Sequence, residues 1–161
     1  MTTIESPSHG ADAGPRSAAE GVFEHPRCQV IDAGEMAEGK QRAQVFEGVS
    51  AGTVGARGLC MHLVHIPPGA SGDAHRHDAH ETALFVLEGE ADTWFGPELA
   101  DCVTVRAGQF LYIPANVAHQ PVNRSTERPV RAVLARTDPN EQESVVLLPH
   151  LARNSSKGAA E

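Results

Sequence analysis

The sequence predicts an all-β sandwich or barrel. Short apolar and β-branched runs recur along most of the chain, and turn residues separate them at regular spacing. Helical periodicity is scarce, and no repeat of solenoid period stands out.

Residues Met1 to Gly21 are rich in Ser, Gly, Ala, Thr and Pro and nearly lack large apolar side chains. Such a segment buries too little surface to offset its ordering entropy, so residues 1–25 read as a disordered tail. Residues 152–161 read the same way, which leaves 26–151 as one folded unit. Cys28 to Ile31 is a short strand candidate, and Gly34 to Gln44 is a polar loop or single helical turn. Gln44 to Val49 is the next strand. Gly48, Gly52, Gly55 and Gly58 follow it and lack the strand-turn-helix context of a phosphate loop, so they read as a flexible connection. Leu59 to Ile66 is strand-like and stops at Pro67-Pro68-Gly69, a strong turn signal. Strands are then expected at Ala83–Leu87, Glu90–Phe95, Cys102–Arg106, Gln109–Ile113, Val117–Val122, Val130–Arg136 and Ser144–Leu148. Gly89, Gly96-Pro97, Gly108, Pro114, the polar turn Asn123 to Arg128 and Asp138-Pro139-Asn140 punctuate them.

Composition narrows the partners. The 161 residues carry a net charge of -8, with 13 Lys+Arg against 21 Asp+Glu and no basic run. Nucleic acid and anionic membranes both demand basic patches, so neither is expected. No stretch reaches transmembrane length, and no basic-then-apolar leader opens the chain, which makes the cytoplasm the expected compartment. Cys28, Cys60 and Cys102 are too widely spaced for a zinc knuckle or disulfide framework. Cys60 and Cys102 fall in strands and read as small buried hydrophobes.

Chemistry concentrates in Gly69 to Gly89, where His75, His77, His80 and Glu81 fall together. Alternate side chains of a strand share a face, so His75 and His77 point the same way, as two ligands of one ion require. Neutral imidazole suits Zn, Fe, Ni, Cu or Mn. A bare H-x-H is more commonly an exposed polar pair. Its surroundings alter that balance.

Gly69, five residues, His75-Arg76-His77, three residues and Glu81 resemble the first motif of the cupin superfamily. Gly108, five residues, Pro114-Ala115-Asn116, two residues, His119, three residues and Asn123 resemble the second. Asn116 replaces a glycine there, a mild change because Asn tolerates positive φ. The resemblance implies a double-stranded β-helix or jelly-roll barrel. It also implies one divalent metal held by His75, His77, Glu81 and His119, and a homodimer paired through sheet edges.

One departure bears on the fourth ligand. The motif places six residues between its glutamate and its closing glycine, whereas seven separate Glu81 from Gly89. Counting back from Gly89 puts Leu87, Phe85, Ala83 and Glu81 on one face, and Glu88, Val86, Leu84, Thr82 and His80 on the other. Three arrangements are open. A β-bulge returns Glu81 to the interior; His80 turns inward instead; or three histidines hold the metal with Thr82 nearby as a non-ligand.

The remaining residues have plainer readings. His62 and His65 lie on opposite faces of one strand, so at most one meets the cavity. Tyr112, Phe110, Gln120, Trp94, Arg131 and Arg136 fall on barrel strands, where packing or exposure is the default. Asp73 and Asp78 flank the histidines as loop residues or as partners that orient an imidazole. Tyr112 and His65 are the only acid–base candidates. No catalytic residue beyond the metal ligands is assigned.

The resemblance implies a metal-dependent enzyme acting on a small molecule. Dioxygenase or oxidoreductase chemistry with Fe²⁺ is favoured, and Mn²⁺, Ni²⁺, Zn²⁺ or Co²⁺ are the other candidates. Metal-assisted isomerisation, epimerisation or lyase chemistry is the alternative. A non-catalytic module holding a ligand or a structural metal is the third reading. No helix-turn-helix is visible to make it a DNA-binding sensor.

Overall fold

The computed structural model describes residues 27–40, 44–140 and 144–153. The chain folds into two antiparallel sheets. Its strands are β1 (Met36–Glu38), β2 (Gln44–Val49), β3 (Cys60–Ile66), β4 (His75–His77), β5 (Thr82–Glu88), β6 (Glu90–Phe95), β7 (Asp101–Arg106), β8 (Phe110–Ile113), β9 (His119–Val122), β10 (Val130–Arg136) and β11 (Val145–Leu147). One sheet runs β1-β2-β3-β10-β5-β8 and the other β11-β4-β9-β6-β7. This is the double-stranded β-helix expected of the sequence, and its turns fall at the anticipated Gly and Pro positions.

Alternation along the strands builds the interior. Ile66, Val86, Ala91, Val105, Val130 and Ala132 are buried together, with Val64, Ala70 and Leu111 packed against them. These residues come from both sheets, so the core lies between them. The turn after β5 needs its glycine. Gly89 has φ +77°, and a Cβ there would lie 2.3 Å from the Pro129 carbonyl oxygen.

Several local expectations change. Cys28 to Ile31 is not a strand and lies exposed. Its apolar run is too short, and among the described residues no strand pairs with it. Within Gly34 to Gln44, the segment Met36–Glu38 instead pairs with Gln44–Phe46 as β1. The glycine-rich connection holds a short helix, α1 (Ala51–Val54). Ser50 caps it by accepting from the Thr53 amide, and the Thr53 side chain accepts from the Ser50 amide. Cys60 is buried as expected, but Cys102 is exposed. On β7 the alternation that buries Val105 turns Cys102 to the outer face.

The expected N-terminal tail, residues 1–25, lies outside the described residues, as do residues 154–161 of the C-terminal one. Arg153, inside that second segment, is held: its amide donates to Gln120 Oε1 at 2.8 Å, and its guanidinium sits 3.8 Å above the Trp94 ring. Among the described residues, no helix is long and apolar enough to cross a membrane.

Candidate metal centre

Three histidines converge between the sheets. His75 and His77 sit on β4 with Arg76 between them, so both imidazoles point inward while Arg76 turns out to pair with Asp78 at 3.1 Å. His119 opens β9 and lies directly opposite His75 in the ladder. One ligand atom from each of the three lies within 4.8 Å of the other two, and all three residues are buried. The second motif's turn sets this register. Asn116 adopts φ +65°, as its replacement of glycine requires, and its amide donates to the His77 carbonyl at 3.0 Å. Asn123 closes the far end of β9, with Nδ2 directed at the carbonyls of Ile66, Pro67 and Arg128.

The ring nitrogens are oriented for ligation. His75 Nδ1 lies 2.8 Å from the Asp73 carbonyl, and His119 Nδ1 lies 2.9 Å from the Val117 carbonyl. A carbonyl only accepts, so Nδ1 carries the proton in both rings and Nε2 keeps its lone pair. His77 Nδ1 faces the Ser144 hydroxyl at 3.4 Å, a long contact, while its Nε2 is buried without a hydrogen-bond partner. Leaving such an atom unsatisfied costs about 1–3 kcal/mol, and a bound cation would remove that cost.

Electrostatics keep the cluster neutral. Desolvation lowers His75 from 6.5 to about 4, with the Arg136 charge adding to it against the favourable Asp73 contact. Desolvation lowers His119 to about 3, helped by His75 and Arg136. His77 falls to about 2 through desolvation, then Arg136 and the neighbouring imidazoles. Neutral imidazole is the form that binds a metal. Donor set, orientation and protonation therefore all fit a divalent first-row ion.

Comparison with known proteins agrees. A family model described as Cupin domain matches residues 62–136, the span that carries all three histidines. That span is a cupin domain. No curated protein matches it in sequence. Among solved structures, the oxalate decarboxylase of Lactobacillus farciminis, in a formate complex, superposes with TM-score 0.59 at 20% identity. That match covers 71% of this chain and 33% of the decarboxylase. A recombinant oxalate oxidase in complex with glycolate gives 0.57 at 21%, covering 72% and 59%. A Cupin 2 conserved barrel protein from Salinispora arenicola gives 0.56 at 17%, covering 71% and 91%. At these identities the likeness is one of fold. This chain spans about a third of the decarboxylase it resembles.

In this chain the fourth position differs from the motif. The structure brings together His75, His77 and His119 and leaves Glu81 outside the cluster. Glu81 is exposed, its Oε1 accepts from the Tyr112 hydroxyl at 2.6 Å, and its amide donates to the Thr137 hydroxyl. A bulge does lie between Glu81 and Gly89, because the β5–β10 register skips Leu87. It sits at the far end of β5, so alternation from Val86 back to Thr82 is unbroken and Thr82 faces inward. His80 is directed elsewhere, with Nδ1 2.9 Å from the Thr137 carbonyl.

Beside the histidines lies a cavity of about 80 Å³ within the barrel. Its walls are largely apolar, including Val64, Leu84, Leu111 and Leu134. Among the described residues lining it, the ionisable side chains are His75, His119 and Arg136. Arg136 is buried, and its Nε donates to Thr82 Oγ1 at 3.1 Å, across the β5–β10 ladder. Sequence reasoning placed Arg136 on a barrel strand without its facing. The signal was period 2 along β10: Val130, Ala132 and Leu134 are buried, and Arg136 continues that row.

The other candidates fall away from the cluster. Tyr112 is exposed, and its hydroxyl proton is held more tightly because it donates to Glu81. His65 shares the outward parity of β3, and His62 is buried with Nδ1 accepting from the Gly48 amide. Phe110 is exposed, Trp94 carries Arg153, and Arg131 faces Glu88 on the outside at 4.0 Å. Gln120 is buried beneath Arg153. Asp73 orients His75 through its backbone carbonyl rather than its carboxylate. Asp138 was missed by sequence reasoning. It is buried, and despite desolvation, hydrogen bonds from Ser144 and Asn140 hold it below its ordinary value.

Proposed function

We propose that this protein is a metal-dependent cupin enzyme that oxidises a small molecule, with His75, His77 and His119 as ligands of one first-row ion, Fe²⁺ favoured. The observation that carries this reading is the convergence of three imidazoles, two of which, His75 and His119, line an apolar cavity. Three protein ligands leave coordination positions for substrate and a second reactant. An ion held there supplies those positions and, if it is iron, the electrons that activate O₂.

The protein's own part is to bind, orient and exclude water. Asp73 and Val117 fix two imidazoles through their Nδ1 protons. The apolar walls admit O₂ and a hydrocarbon skeleton and disfavour bulk water. Oxidation is favoured over isomerisation because proton shuttling needs an acid or base beside the substrate. Among the described residues lining the cavity there is no carboxylate, lysine or tyrosine. Tyr112 and His65, the two candidates for that role, point away from it.

Metal analysis of natively purified protein tests the reading. His77→Ala is expected to lose most bound metal while the barrel keeps its strand-rich circular dichroism. Equal metal content in variant and wild type would sink the site. Oxygen uptake by iron-loaded protein over a panel of small molecules then separates oxidation from other chemistry.

A further inference from the structure

We infer that Asp138 is a positioning residue of the metal centre: acting through the Ser144 hydroxyl, it holds His77 in the tautomer whose Nε2 is free to ligate. This rests on the metal-site reading above and adds to it the groups that set one of its three ligands.

The three imidazoles are not held alike. Nδ1 of His75 and of His119 faces a backbone carbonyl, which can only accept, so the backbone fixes both tautomers. His77 Nδ1 faces the Ser144 hydroxyl instead, at 3.4 Å. A hydroxyl donates as well as accepts. Were Ser144 to donate, the His77 proton would sit on Nε2, the buried atom without a hydrogen-bond partner, and its lone pair would be lost to a metal. The contact is long, so its direction matters more than its strength.

Asp138 sets that direction. It is buried just beyond β10, where the Ser144 hydroxyl and the Ser144 amide both hydrogen-bond to it. The Asn140 amide donates to its Oδ1 at 2.9 Å. An ionised carboxylate has no proton to give, so the hydroxyl must donate to Asp138. One hydroxyl carries one proton, which leaves the Ser144 oxygen to accept from His77. The chain therefore runs from His77 Nδ1–H to Ser144 Oγ–H to the Asp138 carboxylate, and it ends on a full charge, the stronger kind of acceptor.

The fold keeps these groups in place. Val145 lies opposite His77 in the β4–β11 ladder, and the Ser144 carbonyl accepts from the Asp78 amide at 2.9 Å. Two amides already tie Asp138 into the connection between β10 and β11. The hydroxyl differs from them in that it also meets a ligand. Partners behind a ligating histidine fix its ring and raise its basicity, and losing one typically costs about 10- to 100-fold in metal affinity.

Nitrogen-15 NMR of the metal-free protein at pH 7.5 reads the tautomers directly. In wild type, His77 is expected in the Nδ1–H form alone. In Ser144→Ala and in Asp138→Ala the Nε2–H form should appear at His77, with His75 and His119 unchanged. Titration with Zn²⁺ against a competing chelator should show both variants binding about tenfold or more weakly than wild type. A purely structural role for Asp138 would lower stability without moving the His77 tautomer.

Wild-type His77 in the Nε2–H form overturns the inference. So does a His77 tautomer unchanged in Asp138→Ala, or zinc affinity within about twofold of wild type in both variants. If Asp138→Ala does not fold, Ser144→Ala decides, and an unchanged His77 tautomer there overturns it. Failure of wild type to take up zinc would instead sink the metal-site reading, and the tautomers of the metal-free protein would still test the chain from His77 to Asp138.

Discussion

The three buried histidines make the metal-free barrel acid-labile, by an amount the site itself sets. In the unfolded chain each titrates near its ordinary value of 6.5; in the fold burial holds His75 to about 4, His77 to about 2 and His119 to about 3. Below pH 6.5 the unfolded state therefore binds protons that the native state refuses. Stability is full above pH 6.5 and falls as the pH drops from there toward the folded values. One pKa unit is worth about 1.4 kcal/mol, so at pH 5 each histidine favours unfolding by roughly 2 kcal/mol. Together they cost roughly 6 kcal/mol at pH 5, a large share of the about 5–15 kcal/mol that holds a typical domain together.

The assay is urea unfolding of chelator-treated protein at pH 7.5 and pH 5.0, for wild type and His77→Gln. Other groups titrate alike in both proteins, so the difference between their two pH differences isolates His77. Wild type should lose about 2 kcal/mol more than the variant between the two pH values. An identical loss would refute the reasoning, because it would mean that His77 is protonated as readily inside the barrel as outside it.

Two further outcomes follow from the geometry. Glu81→Ala should change metal affinity by no more than about twofold, as for a surface side chain, while His119→Ala should abolish stoichiometric binding; the reverse ranking in a competition titration would return Glu81 to the ligand set. Gly89→Ala should destabilise the barrel by about 3 kcal/mol in denaturant, since its Cβ meets the Pro129 carbonyl and its φ is positive, and a loss below about 0.5 kcal/mol would contradict that.

Much of the fold was legible because period-2 runs and turn residues are local signals. Glu90–Phe95 and Val130–Arg136 have the bounds expected of them. The strand candidate at Cys28 to Ile31 failed because a strand exists only through its partner, and pairing is not written in four residues. Helix α1 was hidden for a related reason. Its Gly52 is a poor helix former, and the capping exchange between Ser50 and Thr53 supports the turn instead. Cys102 was misjudged because residue type was weighed ahead of strand parity, which places it outside. The histidines were legible because H-x-H on a strand fixes their common face, and His119 because its motif turn sets the opposite register.

The fourth position separates two ways of reading a strand. Counting forward from His77 to Glu81 crosses a turn in which Ala79 adopts φ +60°, so the facing of β4 does not carry over to β5. Counting back from Gly89 stays within one strand and groups Thr82 with Leu84 and Val86. Both of these line the cavity, so Thr82 must as well. The same parity, carried across the ladder, sets Arg136 opposite Thr82 and turns it inward. The inward place at the start of β5 thus falls to Thr82 rather than Glu81, and this parity does two things. It moves a carboxylate to the surface, where Tyr112 holds it, and it gives Thr82 the place from which it orients a guanidinium. The electrostatic character of the cavity follows from strand parity rather than from the motif residues alone.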